Sequence, residues 1–168
     1  MTRLVCGLAA AGLVVASFAR FGMSGSAVVA AFLVAVLAVL SAIDLERHIL
    51  PNRIVLPATA VVLTARIALS PGRALEWIVA ALAASGFLLL VHLLYPAGMG
   101  LGDVKLALLL GAALGRDVAP AVLVALVAAA GVGIVMLVRE GGAARKKAIP
   151  LGPFLAFGAV VALFAAGP

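Results

Sequence analysis

"ALEWIVAALAASGFLLLVHLLY", residues 74 to 95, contains one acid near its start, Glu76, and no lysine or arginine. As a helix rising 1.5 Å per residue it is about 33 Å long. That is enough to cross roughly 30 Å of hydrocarbon. Trp77 and Tyr95 stand near its opposite ends, where aromatic side chains suit the two membrane interfaces. The stretch reads as a membrane span, and the same pattern recurs on either side of it. Apolar segments run from 4 to 20, 26 to 43, 54 to 69, 103 to 115, 117 to 138 and 150 to 167. With 67% hydrophobic and 11% charged residues in 168, the chain lies outside the range of soluble domains. The expected fold class is an all-α integral membrane protein, a bundle of about seven transmembrane helices with six as the other count. The segments between spans are too short to bury a core of their own. Residues 1–168 therefore read as a single membrane-embedded domain.

The formal net charge is +6, but the basic residues are scattered among short loops, which disfavours nucleic acid as a partner. A topology signal accounts for them better. With the N-terminus in the cytoplasm, that side carries Arg3, Arg47, Arg53, Lys105, Arg139, Arg145, Lys146 and Lys147, and the other side Arg20, Arg66, Arg73 and Arg116. The asymmetry follows the positive-inside rule. The single cysteine, Cys6, has no partner in the chain, so disulfide frameworks and cysteine metal sites are excluded. Arg3 ahead of an apolar run, with Ser17 and Ala19 before Arg20, gives the first segment features of a signal peptide; it is read here as a retained helix.

Three polar loops fall on the side assigned to the cytoplasm: "DLERHILPNR" (44–53), "PAGMGLGD" (96–103) and "REGGAARKKAIPLGP" (139–153). In the first, Pro51 and Asn52 stop one helix and position the next. The segment from Asp103 to Gly115 spans only roughly 20 Å as a helix. Irregular backbone at membrane depth is tolerated where it lines a water-filled cavity. The glycines at 98, 100 and 102 thus predict a loop folded into the bundle beside Asp103.

The chain has six acids: Asp44, Glu46, Glu76, Asp103, Asp117 and Glu140. Glu76 reads as an interfacial solvated residue, Asp117 as a helix N-cap and Glu140 as a surface residue. Asp44 and Asp103 remain, each at the cytoplasmic end of an apolar helix, with Glu46 close behind the first. Acids at the edge of hydrocarbon either mark an interface or serve a function. Two converging aspartates form a known chemical device, in which one carboxylate activates water, the other protonates a carbonyl, and the pair shares a proton. That chemistry requires no metal and no cofactor, and the chain offers no Cys/His ligand cluster.

"GLGD" at 100–103 matches the GxGD signature of intramembrane aspartyl proteases. "AIDLERHILPNRIVLP" and "GLGDVKLALLLGAALG" resemble the two active-site segments of the prepilin leader peptidases, and "IPLGPFLAFG" (149–158) resembles that family's closing motif. Three blocks in order, from about residue 40 onward, carry the resemblance. It implies that Asp44 and Asp103 are the catalytic aspartates and that Gly100 and Gly102 are the motif glycines. Pro51, Asn52 and Lys105 then belong to the active-site loops. The reaction implied is removal of the cytoplasmic leader from type IV prepilins or related pseudopilins. Substrates of the family have a basic leader, a glycine before the scissile bond and an apolar segment after it. Lys105, two residues along a helix from Asp103, points roughly 200° away from it; it serves the motif or snorkels to lipid phosphate. Bifunctional members carry a cytoplasmic domain with paired CxxC motifs, associated with methylating the new N-terminus. This chain, with one cysteine, resembles the peptidase-only type, and methyltransferase activity is expected to be absent.

Two other functions fit parts of the sequence. "GMSG" (22–25) resembles the GxSG motif of rhomboid serine proteases, with Ser24 as nucleophile. The only candidate bases, His48 and His92, fall at the far ends of helices, so Ser24 reads as a loop residue and helix N-cap. A small transporter or assembly subunit could use Asp44 and Asp103 to relay protons or bind a cation. The ordered three-block match favours the peptidase.

Overall fold

The computed structural model of the protein describes residues 2–96, 98–141 and 150–166. Seven α-helices appear among them: α1 (Thr2–Phe21), α2 (Gly25–Arg47), α3 (Asn52–Leu69), α4 (Ala74–Leu94), α5 (Leu101–Leu114), α6 (Val118–Glu140) and α7 (Gly152–Ala166). The protein is an all-α, multi-pass membrane protein. Gly25–Arg47, Asn52–Leu69, Pro71–Leu94 and Leu101–Glu140 are long and apolar enough to cross a bilayer, and Cys6–Phe21 and Gly152–Ala165 are shorter apolar helices. The Leu101–Glu140 stretch is broken by Gly115, whose φ of +59° ends α5, and a 3-10 turn follows over Gly115–Asp117. The expected basic cluster Arg145, Lys146 and Lys147 lies outside the described residues.

Helix α5 is the centre of the bundle. It packs against α3, α4 and α7 and touches α2 and α6. Its Leu106, Leu109 and Leu110 are fully buried, together with Leu33 and Leu40 of α2, Val55 and Val62 of α3, Leu88 of α4, and Leu155 and Leu163 of α7. With 14 residues it is only about 21 Å long. Lipid tails are as apolar as leucine, so helices in a bilayer associate through close packing and small residues rather than hydrophobic burial. Gly111 supplies such a contact, because a Cβ there would collide with the Ala80 carbonyl and the Ala81 backbone of α4. Gly158 lets α7 approach the Ala121 carbonyl of α6 in the same way. Overpacking a close contact costs about 1–3 kcal/mol. Gly111→Val is expected to lower the thermal midpoint in detergent, while Gly86→Ala, where a Cβ meets nothing within 4 Å, leaves it nearly unchanged.

The end of the bundle opposite the aspartates shows where local chemistry departs from expectation. Ser24 caps α2, its Oγ accepting from the Ala27 N–H at 3.2 Å. Asp117 occupies the N-cap position of α6 but makes no side-chain cap hydrogen bond. Glu76 is not simply solvated. It accepts from Arg73 through both carboxylate oxygens, at 2.8 and 2.9 Å, and from the Arg116 N–H. Trp77, expected at an interface, is only 3% exposed, with Arg66 and Arg73 guanidinium carbons 5.0 and 4.7 Å from its ring centroid. Arg66, read as an outer charge, is buried inside α3. The electron-rich ring face takes the place of water around the cation.

Candidate active site

The site forms where the last turn of α2 meets the first turn of α5 and the start of α7. Helix α2 runs through Asp44 to Arg47 rather than stopping at 43, so Asp44 is held on regular backbone. The helix closes at His48, whose φ of 54° lies in the left-handed region and whose N–H donates to the Asp44 carbonyl at 2.8 Å. The chain then turns through Ile49 and Leu50 to Pro51, which at φ −71° and ψ 124° is extended and sets the start of α3 at Asn52.

Helix α5 begins at Leu101, two residues earlier than the sequence suggested, with Gly100 as N-cap. Asp103 is therefore the third helical residue, where a carboxylate can reach back to the cap. Its Oδ2 accepts from the Gly100 N–H at 3.2 Å, and its own N–H donates to the Gly100 carbonyl. This is half of a capping box, glycine having no side chain to complete it. A Cβ on Gly102 would lie 2.9 Å from the Leu50 Cβ, so the glycine lets the 48–51 turn lie against α5. Gly100 has room for a Cβ, 3.7 Å from the Asp103 Oδ2, and nothing in the structure requires glycine there.

Asp44 is 5% and Asp103 8% exposed, and the two face one cavity of about 270 Å³. His48, Ile49, Leu50, Asn52, Gly100, Leu101 and Gly102 complete its lining. Each carboxylate is held through one oxygen by a backbone N–H: Asp103 by Gly100, and Asp44 by Gly152 at 3.0 Å. A larger groove of about 600 Å³ lies beside it between α1 and α2, lined mostly by small apolar residues. Glu46 faces that groove and not the aspartate cavity, which separates it from the pair.

Residues 31–138 of the chain match the type IV leader peptidase family. The chain belongs to that family. Both aspartates, the loop residues Pro51 and Asn52, the glycines and Lys105 lie inside the matched span, whereas Gly152 lies beyond it. Two curated family members, each named prepilin leader peptidase/N-methyltransferase, come from Burkholderia pseudomallei strains 1026b and K96243. Each is 36% identical over 167 residues, which is 96% of this chain and 54% of the relative. The chain thus spans about half the length of the relatives it matches. No solved structure matches it.

Lys105 is engaged within the protein. Its Nζ donates to the Asn52 Oδ1 at 2.8 Å, tying α5 to the start of α3. Ser24 caps one end of α2 and His48 closes the other, about 35 Å apart along a 23-residue helix. A serine–histidine pair is excluded for Ser24 with His48 on that ground. Among the described residues no group of three or more His, Cys, Asp or Glu side chains could hold a metal ion.

Two contacts around the cavity were not legible in the sequence. Gly152 was visible as part of a Pro/Gly turn and of the closing motif the sequence resembles, but its partner Asp44 is 108 positions away. His92, which entered the sequence analysis only as a distant base for Ser24, is a partly buried polar group whose Nδ1 lies 2.7 Å from the Met99 carbonyl in the glycine loop.

Proposed function

We propose that this chain is an intramembrane aspartyl endopeptidase that removes the leader from type IV prepilins or pseudopilins. The observation carrying the proposal is that Asp44 and Asp103, from opposite halves of a leader-peptidase family chain, share one small cavity. In the reaction one carboxylate takes a proton from water as the water oxygen attacks the scissile carbonyl carbon. The other, as the acid, protonates the carbonyl oxygen. These two transfers exchange the protonation states of the pair; on collapse the newly protonated residue gives its proton to the leaving amine as the C–N bond breaks, and a hydroxyl of the tetrahedral intermediate returns its proton to the other carboxylate, restoring the starting pair. The N–H groups of Gly100 and Gly152 hold one oxygen of each carboxylate. Among the described residues the other oxygen of each accepts no protein hydrogen bond and is available for water and substrate. A peptide bond inside an α-helix has its carbonyl occupied, so the scissile segment enters unwound.

The reaction proceeds without metal or cofactor, and the chain leaves the new amine unmethylated. Its partners are the prepilin substrate and the lipid bilayer, with no nucleic acid. It resides in the cytoplasmic (inner) membrane with the aspartate end facing the cytoplasm, in keeping with the basic residues at that end. Alkaline phosphatase fused at residue 22, between α1 and α2, is expected to be active, and at residue 141 inactive; the reverse pattern places the site outside.

Co-expression with candidate prepilins from the same genome, in cells lacking their own leader peptidase, tests the function. The expected product begins one residue after a conserved glycine, as read by mass spectrometry. Intact leaders on every candidate would contradict the proposal.

A further inference from the structure

The hydrogen bond that holds Asp103 comes from a peptide unit with no secondary structure to fix it. The donor is the Gly100 N–H, which shares its peptide plane with the Met99 carbonyl. Gly100 lacks a Cβ and is conformationally permissive, so rotation of this plane meets little local resistance and would turn the N–H away from the carboxylate. The plane is gripped at its other end. His92, in the last turn of α4 and partly buried, places Nδ1 2.7 Å from the Met99 oxygen. A carbonyl can only accept, so the hydrogen lies on Nδ1. The Met99 side chain packs against the core, and the Gly98 N–H donates to the Tyr95 carbonyl at 3.1 Å, closing the turn before it. Both polar groups of one peptide are thus engaged, His92 on its oxygen and Asp103 on its hydrogen. Hydrogen bonds in series polarise one another, by about 10–30% per bond.

We infer that His92 is a positioning residue for the reaction: through the Met99–Gly100 peptide it orients the Asp103 carboxylate toward the cavity it shares with Asp44. The inference rests on the peptidase reading and adds a residue on α4, outside the motif that carries both partners of the aspartate's hydrogen bond. Histidine acts here as an Nδ1–H donor. Asparagine places its amide N–H at nearly the same point on a side chain of the same reach, whereas leucine fills the space without a donor.

The test compares wild type, His92→Asn and His92→Leu in proteoliposomes by two measurements. Backbone hydrogen exchange reads the clamp without reference to catalysis: slow exchange at the Gly100 amide is expected in wild type and His92→Asn, and fast exchange in His92→Leu. The rate of leader removal reads its consequence. His92→Leu is expected to lower kcat by up to about 100-fold, the scale of a misplacement near 1 Å, with KM little changed. His92→Asn should recover most of that loss. Equal exchange and equal kcat in all three overturn the inference, as does a folded His92→Asn no better than His92→Leu. A wild type that cuts no prepilin while the exchange contrast holds overturns the peptidase reading and leaves the clamp established.

Discussion

Asp103→Asn and Asp44→Asn are each expected to leave prepilin unprocessed, with rates at least about 10²–10⁴-fold below wild type, the range contributed by positioned acid–base groups. Asparagine keeps the shape and accepts the same backbone N–H, so the Gly100 and Gly152 contacts survive and the fold with them. What is lost is the ability to carry a proton. The two substitutions act on one unit, and the double variant should be little worse than either single one. Glu46→Gln is the control: its side chain faces the α1–α2 groove, and processing should continue near the wild-type rate. A folded Glu46→Gln protein without activity would mean that the acid pair has been drawn from the wrong residues.

Gly152→Ala is expected to cost nearly as much without touching an acid. A Cβ at 152 would sit 2.6 Å from the Asp44 Oδ2 and 3.1 Å from its Cγ. Asp44 lies in the last turn of a helix and cannot retreat without changing rotamer, so the carboxylate is displaced and its bond to the Gly152 N–H broken. A displacement near 1 Å corresponds to about a 100-fold loss in rate. Gly7→Ala, where a Cβ meets nothing within 4 Å, should be silent in the same assay. Comparing the two in lipid, with a thermal melt on each, separates loss of the site from loss of the fold.

The spans were legible because hydrocarbon imposes the same demand on each of them, and length with apolar composition answers it. The ends were less so. Asp44 looked like a loop residue because the run "DLERH" is polar, yet its backbone continues α2 for one more turn; helix termini follow backbone hydrogen bonds, here His48 N–H to the Asp44 carbonyl, which polarity does not report. Likewise α5 starts at Leu101, since Asp103 prefers the third helical position, where it can reach back to Gly100. The pairing of Trp77 with Arg66 was hidden in another way. Each has an interfacial character on its own, but stacked together they bury each other, and a pair drawn from α3 and α4 has no signature in either helix. The convergence of Asp44 and Asp103 could be proposed from motif order. The backbone amide that meets Asp44 could not, because Gly152 lies 108 positions from its partner and acts through its main chain.

The central claim is that two carboxylates in one cavity, with no metal, cut the leader. It is tested most directly by incubating the purified protein in proteoliposomes containing a chelator with a synthetic prepilin segment and weighing the products. The expected result is a single cut after the leader glycine, at a rate the chelator does not change, giving an unmethylated amine, and no cut by Asp44→Asn. Cleavage that stops with the chelator, or that persists in Asp44→Asn, would contradict it.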